Sequence, residues 1–148
     1  MVRVMSRHEC VSYCNQSHNT PSLIISISTP YRQYDWKPEI TDTNGVKNIL
    51  RLAFNDTDLL DDIRPISDRD AERIKAFLQE NWSDDVLLIV HCDAGQSRSA
   101  GVAAAILKAT TGDDSEIFDK PRFIPNMLVY RTVLQELYAK PKFSIRKE

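Results

Sequence analysis

Val86-Leu87-Leu88-Ile89-Val90 is the segment that most narrows what this chain can fold into. Five apolar residues follow one another with no polar alternation, which suits a central strand covered on both faces. A second strand is expected over Leu23-Ile24-Ile25-Ser26-Ile27, after the break Asn19-Thr20-Pro21 and before Thr29-Pro30. A third is expected from Asn48 to Phe54, running into the acidic turn Asn55-Asp56-Thr57-Asp58. Between the last two, Tyr31 to Gly45 reads as a long loop.

Helical patterns fill the gaps. Ser67-Asp68-Arg69-Asp70 has the form of a capping box, and the helix it opens places Ile74, Phe77, Leu78 and Trp82 along one stripe. An alanine-rich helix is expected from about Ser99 to Thr110, stopped at Gly112. A last helix begins near Pro125, with Met127, Leu134, Leu137 and Tyr138 at helical spacing, and Lys140 to Glu148 reads as a frayed tail. Strands alternating with helices make the fold class α/β with a mainly parallel sheet. The chain's 148 residues fit a single domain, with its core at about 20–139.

Bulk numbers remove several function classes. A formal net charge of −2 gives no reason to expect nucleic acid or an anionic membrane as a partner. No apolar run approaches the roughly 20 residues of a membrane span. Met1 to Arg7 is charged with no apolar stretch behind it, so it does not read as a signal peptide, and a cytoplasmic setting is the default. Three cysteines without CxxC spacing, and His8, His18 and His91 in no cluster with them, argue against a disulfide framework or structural zinc. Cys10 and Cys14 stand four apart and read as small buried core residues.

The chemistry sits where the apolar run ends, in His91-Cys92-Asp93-Ala94-Gly95-Gln96-Ser97-Arg98-Ser99. The carboxyl end of a sheet strand that opens a helix is where such folds bind ligands. A cysteine there lies near the positive helix end, which favours its nucleophilic thiolate form. The unpaired N–H groups from Asp93 to Arg98 form a cradle for an anion, and Gly95 with the small Ala94 lets the backbone close around it. Arg98 offers a planar fork matching two phosphate oxygens. Ser99 can donate a hydrogen bond to the sulfur, and His91 reads as a hydrogen-bonded residue that orients the loop. The alternative is a buried cysteine in an ordinary strand-to-helix turn with a surface arginine. A thiolate nucleophile also needs a general acid; Asp56 is the first choice and Asp58 the reserve.

Together, Val90-His91-Cys92-x5-Arg98-Ser99 and Asn55-Asp56-Thr57 resemble the dual-specificity branch of the cysteine-dependent protein tyrosine phosphatases, particularly small single-domain bacterial and viral members. The resemblance runs from about Leu23 to Leu137 and implies a mostly parallel sheet of four or five strands flanked by helices. It implies a cysteinyl-phosphate intermediate on Cys92, with Arg98 holding the phosphoryl oxygens. Asp56 is the implied general acid and then base, and Ser99 assists the sulfur's departure. Pro125-Asn126 looks like a support for the phosphate loop. No metal or cofactor is implied. A phosphorylated protein or small phosphoester is the implied substrate, and a monomer is expected. Asp93 departs from a site built for dianions, since it puts a negative charge beside the nucleophile unless it points outward or a base neutralises it. Extra lysines are missing from the loop, which weakens the case for a polyphosphorylated inositol lipid. Tyr31, Tyr34 and Trp36 either line the pocket or simply pack. Two rival functions stay open: the same chemistry on an RNA 5′ end or phosphometabolite, and a non-catalytic phosphate-binding module. The modest charge counts against RNA, and the intact Cys92, Arg98 and Asp56 count against the binding module.

Overall fold

A computed structural model describes residues 1–30, 39–42 and 44–145. Tyr31, Tyr34 and Trp36 lie outside the described residues. Four strands form one sheet: β1 (Val2–Met5), β2 (Ser22–Ser28), β3 (Val46–Ala53) and β4 (Leu87–His91), in the order β1-β4-β2-β3. Every pairing is parallel. The α/β class and the parallel sheet are thus as expected, with four strands.

The unbroken apolar run is explained by two cores. Leu88 and Val90 of β4, with Leu23, Ile25 and Ile27 of β2, face the larger core beneath three helices, α2 (Asp68–Asn81), α3 (Arg98–Thr111) and α5 (Met127–Tyr138). Leu87, Ile89 and Ile24 face the opposite side, where α1 (Arg7–Cys14) packs. Side chains alternate along each central strand, yet both faces are covered, so no polar residue is called for on either. Burying each such side chain stabilises the fold by roughly 1.5–3 kcal/mol.

Helix ends follow their capping chemistry. Ser67 and Asp70 form a reciprocal capping box at α2, which buries Ile74, Phe77 and Leu78. Gly112 ends α3 in the left-handed conformation at φ 79°. A short helix, α4 (Ser115–Phe118), follows. Cys10 and Cys14 are buried on one face of α1, as expected. The apolar surroundings push the Cys10 thiol up, so it is held as a neutral thiol.

Four expectations need correction. The sheet begins at Val2, ahead of the core expected from residue 20, because Val2 and Val4 pair beside β4 and turn into the larger core while Arg3 stays exposed. The tail is not frayed from Lys140: Phe143 is fully buried, stacks with Trp82 and donates its N–H to the Leu137 carbonyl. The last helix starts at Met127, two residues after Pro125, with Asn126 as its N-cap. Its buried stripe is Leu128, Val129, Val133 and Leu137, whereas Met127 and Tyr138 are exposed. Among the described residues no helix is long and apolar enough to cross a membrane.

Candidate active site

Because all four strands run the same way, β2, β3 and β4 deliver their carboxyl ends to one edge of the sheet. Cys92 follows β4, Thr29 follows β2, and Phe54 to Asp56 follow β3. The sequence-predicted residues Cys92, Arg98, Ser99, Asp56 and Asn126 are brought together there.

The loop from Cys92 to Ser97 is held by its carbonyl groups. The Cys92 carbonyl accepts from His91 Nδ1 at 3.1 Å, and the Asp93 carbonyl from the Arg7 N–H at 3.1 Å. The Gln96 and Ser97 carbonyls accept from the N–H groups of Ile124 at 2.8 Å and Asn126 at 3.0 Å. A trans peptide sets each C=O opposite to the next N–H. Four carbonyls drawn outward therefore turn the N–H groups of Asp93, Ala94, Ser97 and Arg98 toward the inside of the loop. Ser97, the N-cap of α3, makes no side-chain cap bond to that helix. The result is a ring of donors at a helix N-terminus, the arrangement that binds anions.

Close packing gives Gly95 a second reason to be glycine, beside the loop closure its sequence position suggests. Its φ is +69°, and a Cβ there would meet Ser6 N at 2.6 Å and the Met5 carbonyl carbon at 2.7 Å. Its smallness lets the loop lie on the junction between β1 and α1, behind the anion cradle. Gly101 does the equivalent for α5, since a Cβ would meet the Asn126 carbonyl oxygen at 2.8 Å.

Cys92 Sγ lies 3.0 Å from Ser99 Oγ, and both are buried. A thiolate can only accept, so the ionised form accepts a hydrogen bond from the Ser99 hydroxyl. His91 is buried; Nδ1 faces a carbonyl and must carry the hydrogen, which leaves Nε2 to accept from Ser26 Oγ at 2.6 Å. Desolvation holds the imidazole below its ordinary pKa, so it stays neutral and orients the loop.

Arg98 is buried, and its five donors can be counted. Nη1 donates to the Phe54 carbonyl at 2.9 Å and to Thr29 Oγ1 at 3.2 Å. Nη2 donates to Asp93 Oδ2 at 3.1 Å. Two donors remain: the second Nη2 hydrogen and Nε–H, which is buried without a partner. These two lie side by side on one edge of the guanidinium, spaced for two oxygens of one phosphoryl group. Asp93 does not point away; its carboxylate is neutralised by Arg98 itself.

Asp56 reaches the loop from β3. Its Oδ1 accepts from Ser97 Oγ at 2.7 Å and from Asn126 Nδ2 at 2.9 Å, leaving Oδ2 unengaged. Asn126 Nδ2 also donates to the Thr57 carbonyl at 3.0 Å, while Asn126 Oδ1 caps α5 by accepting from the Val129 N–H at 3.1 Å. Asn126 thus braces the Cys92–Ser97 loop through its main chain and the loop after β3 through its side chain. The loop after β3 is closed at its base by Asn55 N–H donating to the Arg64 carbonyl at 2.7 Å. Asp58 is exposed and makes no hydrogen bond to the Cys92–Ser97 loop. Two contributors escaped sequence reasoning. Thr29 read only as a strand end, and the Phe54 carbonyl, being main chain, has no residue signature.

Among the described residues no three His, Cys, Asp or Glu gather to hold a metal ion. The cradle itself is built for an anion.

A parallel four-stranded sheet with helices on both faces, and a cysteine–arginine loop between the end of β4 and the start of α3, is the α/β phosphatase-type fold. Human DUSP28 shares it with a TM-score of 0.59 at 19% identity, over 93% of this chain and 92% of that one. The human tyrosine phosphatase-like serine/threonine/tyrosine-interacting protein matches with a TM-score of 0.57 at 24% identity, over 81% of this chain and 78% of that one. PTPMT1 in complex with PI(5)P matches with a TM-score of 0.56 at 17% identity, over 92% and 89%. The fold is that of the dual-specificity phosphatases. No protein-family model and no curated protein sequence matches the chain.

Proposed function

We propose that this protein is a cysteine-dependent phosphatase that hydrolyses phosphomonoesters of proteins through a cysteinyl-phosphate intermediate. The observation that carries the reading is the unpartnered Nε–H of buried Arg98, beside a free Nη2 hydrogen and above a ring of inward amides. A buried charged donor without an acceptor is costly unless a ligand supplies one.

In this mechanism the Cys92 thiolate attacks phosphorus while the amides and the Arg98 fork hold the equatorial oxygens. The P–O bond to the leaving group breaks as Asp56 gives its proton to that oxygen. Water then attacks phosphorus, Asp56 takes the water proton, and the S–P bond breaks with Ser99 donating to the departing sulfur. The electrostatic work is done by Arg98 and main-chain donors, so no metal enters.

A protein substrate is favoured over a small metabolite by the surface around the site. Leu59, Leu60 and Ile63 on the acid loop, and Ile124 on the segment bonded to Gln96, are exposed at 57, 76, 68 and 72%. Small-ligand sites enclose their ligand, whereas exposed apolar side chains on a rim suit a broad partner. The test is hydrolysis of 4-nitrophenyl phosphate and of phosphotyrosine, phosphoserine and phosphothreonine peptides with a chelator present. Turnover of the aryl ester and of at least one peptide is expected, and Cys92→Ser abolishes both. A requirement for added divalent metal, or full activity in Cys92→Ser, refutes the mechanism; turnover of the aryl ester alone refutes the protein substrate.

A further inference from the structure

The carboxylate beside the nucleophile is the odd group in this site. Asp93 stands next to a cradle for dianions, where a negative charge repels the ligand. Its side chain is 46% exposed, so its ion pair with Arg98 adds little to stability. Neither binding nor folding explains a carboxylate at this position.

Its hydrogen bonds do. Thr29 Oγ1 donates to Asp93 Oδ2 at 2.9 Å and accepts from Arg98 Nη1 at 3.2 Å, while Arg98 Nη2 donates to the same Asp93 oxygen at 3.1 Å. Arg98, Thr29 and Asp93 thus close a cycle around the Nη1–Nη2 end of the guanidinium. With the Phe54 carbonyl taking the other Nη1 hydrogen, the group is gripped from two directions. The free edge, Nε and the inner Nη2 hydrogen, is then aimed one way only. We propose that Asp93, with Thr29, is a positioning residue: it holds the fork of Arg98 at the angle that meets a phosphoryl group. The inference rests on the phosphatase reading of the site.

The sign of one measurement separates this role from plain electrostatics. If Asp93 acted only as a nearby charge, its removal would tighten anion binding. If it positions Arg98, its removal weakens binding despite the lost repulsion. Inorganic phosphate affinity is measured by calorimetry for the wild type, Asp93→Ala, Asp93→Asn and Thr29→Val, beside kcat and KM for an aryl phosphate and the thermal midpoint. Asp93→Ala is expected to weaken phosphate binding and lower kcat, each about tenfold, the scale of one lost hydrogen bond to a charged group. The Asn126 and Cys92 neighbourhoods stay intact, so the midpoint moves by no more than a few degrees. Asp93→Asn keeps an acceptor oxygen and is expected to recover most of the loss, and Thr29→Val falls between. Phosphate binding as tight as or tighter than wild type in Asp93→Ala, with kcat retained, overturns the proposal. So does an Asn variant as impaired as the Ala variant. Wild-type protein that binds phosphate but turns over no ester removes the phosphatase reading alone, and the phosphate affinities still decide what Asp93 does. Wild-type protein that does not bind phosphate removes both.

Discussion

Replacing Asn126 by serine, and separately by alanine, divides two jobs that one side chain performs. Asn126 is 8% exposed; its Oδ1 caps α5 at Val129 N–H, and its Nδ2 donates to Asp56 Oδ1 and the Thr57 carbonyl. Serine caps a helix about as well as asparagine but cannot span to the acid loop; alanine does neither. The cap is worth about 1 kcal/mol. The two amide bonds, one of them to an exposed carboxylate, add about 1–3 kcal/mol together. Asn126→Ala is therefore expected to lose about 2–4 kcal/mol and Asn126→Ser about 1 kcal/mol less. For a domain of this size each kcal/mol moves the thermal midpoint by roughly 2–4 °C. Activity follows the other division. In both variants Asp56 keeps only Ser97 as a tether, and a looser acid lowers kcat by about tenfold where the leaving group needs its proton. Differential scanning calorimetry gives the first comparison, and turnover of an alkyl phosphate against 4-nitrophenyl phosphate gives the second. Equal midpoints for the two variants would refute the capping role. Full alkyl-phosphate turnover in Asn126→Ser would refute the tether.

Three further outcomes follow from named contacts. Asp56→Ala is expected to lower kcat by about 10²–10⁴-fold on alkyl esters and far less on esters with good leaving groups, with Asp58→Ala close to wild type; the reverse pattern would move the acid to Asp58. Gly95→Ala is expected to cost at least about 1–3 kcal/mol in thermal stability and to impair turnover, because a Cβ at φ +69° drives the loop off Ser6; an unchanged midpoint and rate would show that the contact is not needed. His91 is held below its usual pKa by burial, so below about pH 6.5 the unfolded chain takes up a proton that the folded one refuses. Stability from this source is whole above that pH and is lost as the pH falls toward the folded value. Midpoints measured from pH 7.5 to 5 should fall less steeply in His91→Asn, and parallel curves would exclude His91 as a cause.

Local signals carried a large part of this molecule. The Val86–Val90 run declared a strand buried on both faces, because only a central parallel strand leaves no side wet. Ser67 and Asp70 marked a helix start through a bond pattern contained within four residues. Cys92, Arg98 and Ser99 were legible for the same reason: the loop that joins them is continuous in sequence, so spacing alone brings them near. Where signals were short they were missed. Four residues, Val2–Met5, are too few to display a period, although Ser6 and Glu9 form a capping box directly behind them.

Other features needed the packed chain. Sequence offers Asp56 and Asp58 side by side, and only the parallel course of β3 sets Asp56 against Ser97 and Asn126, 41 and 70 residues away. Asp93 read as an exposed liability, and only the convergence of β2 and β4 set Thr29 and Arg98 around its carboxylate. Phe54 contributes a carbonyl, which every residue type has, so its part could not be written in the sequence. Residue chemistry and near spacing determined what this protein carries into its site. The direction of the strands determined which of those groups meet, because contacts across a sheet edge depend on parallel alignment and not on distance along the chain.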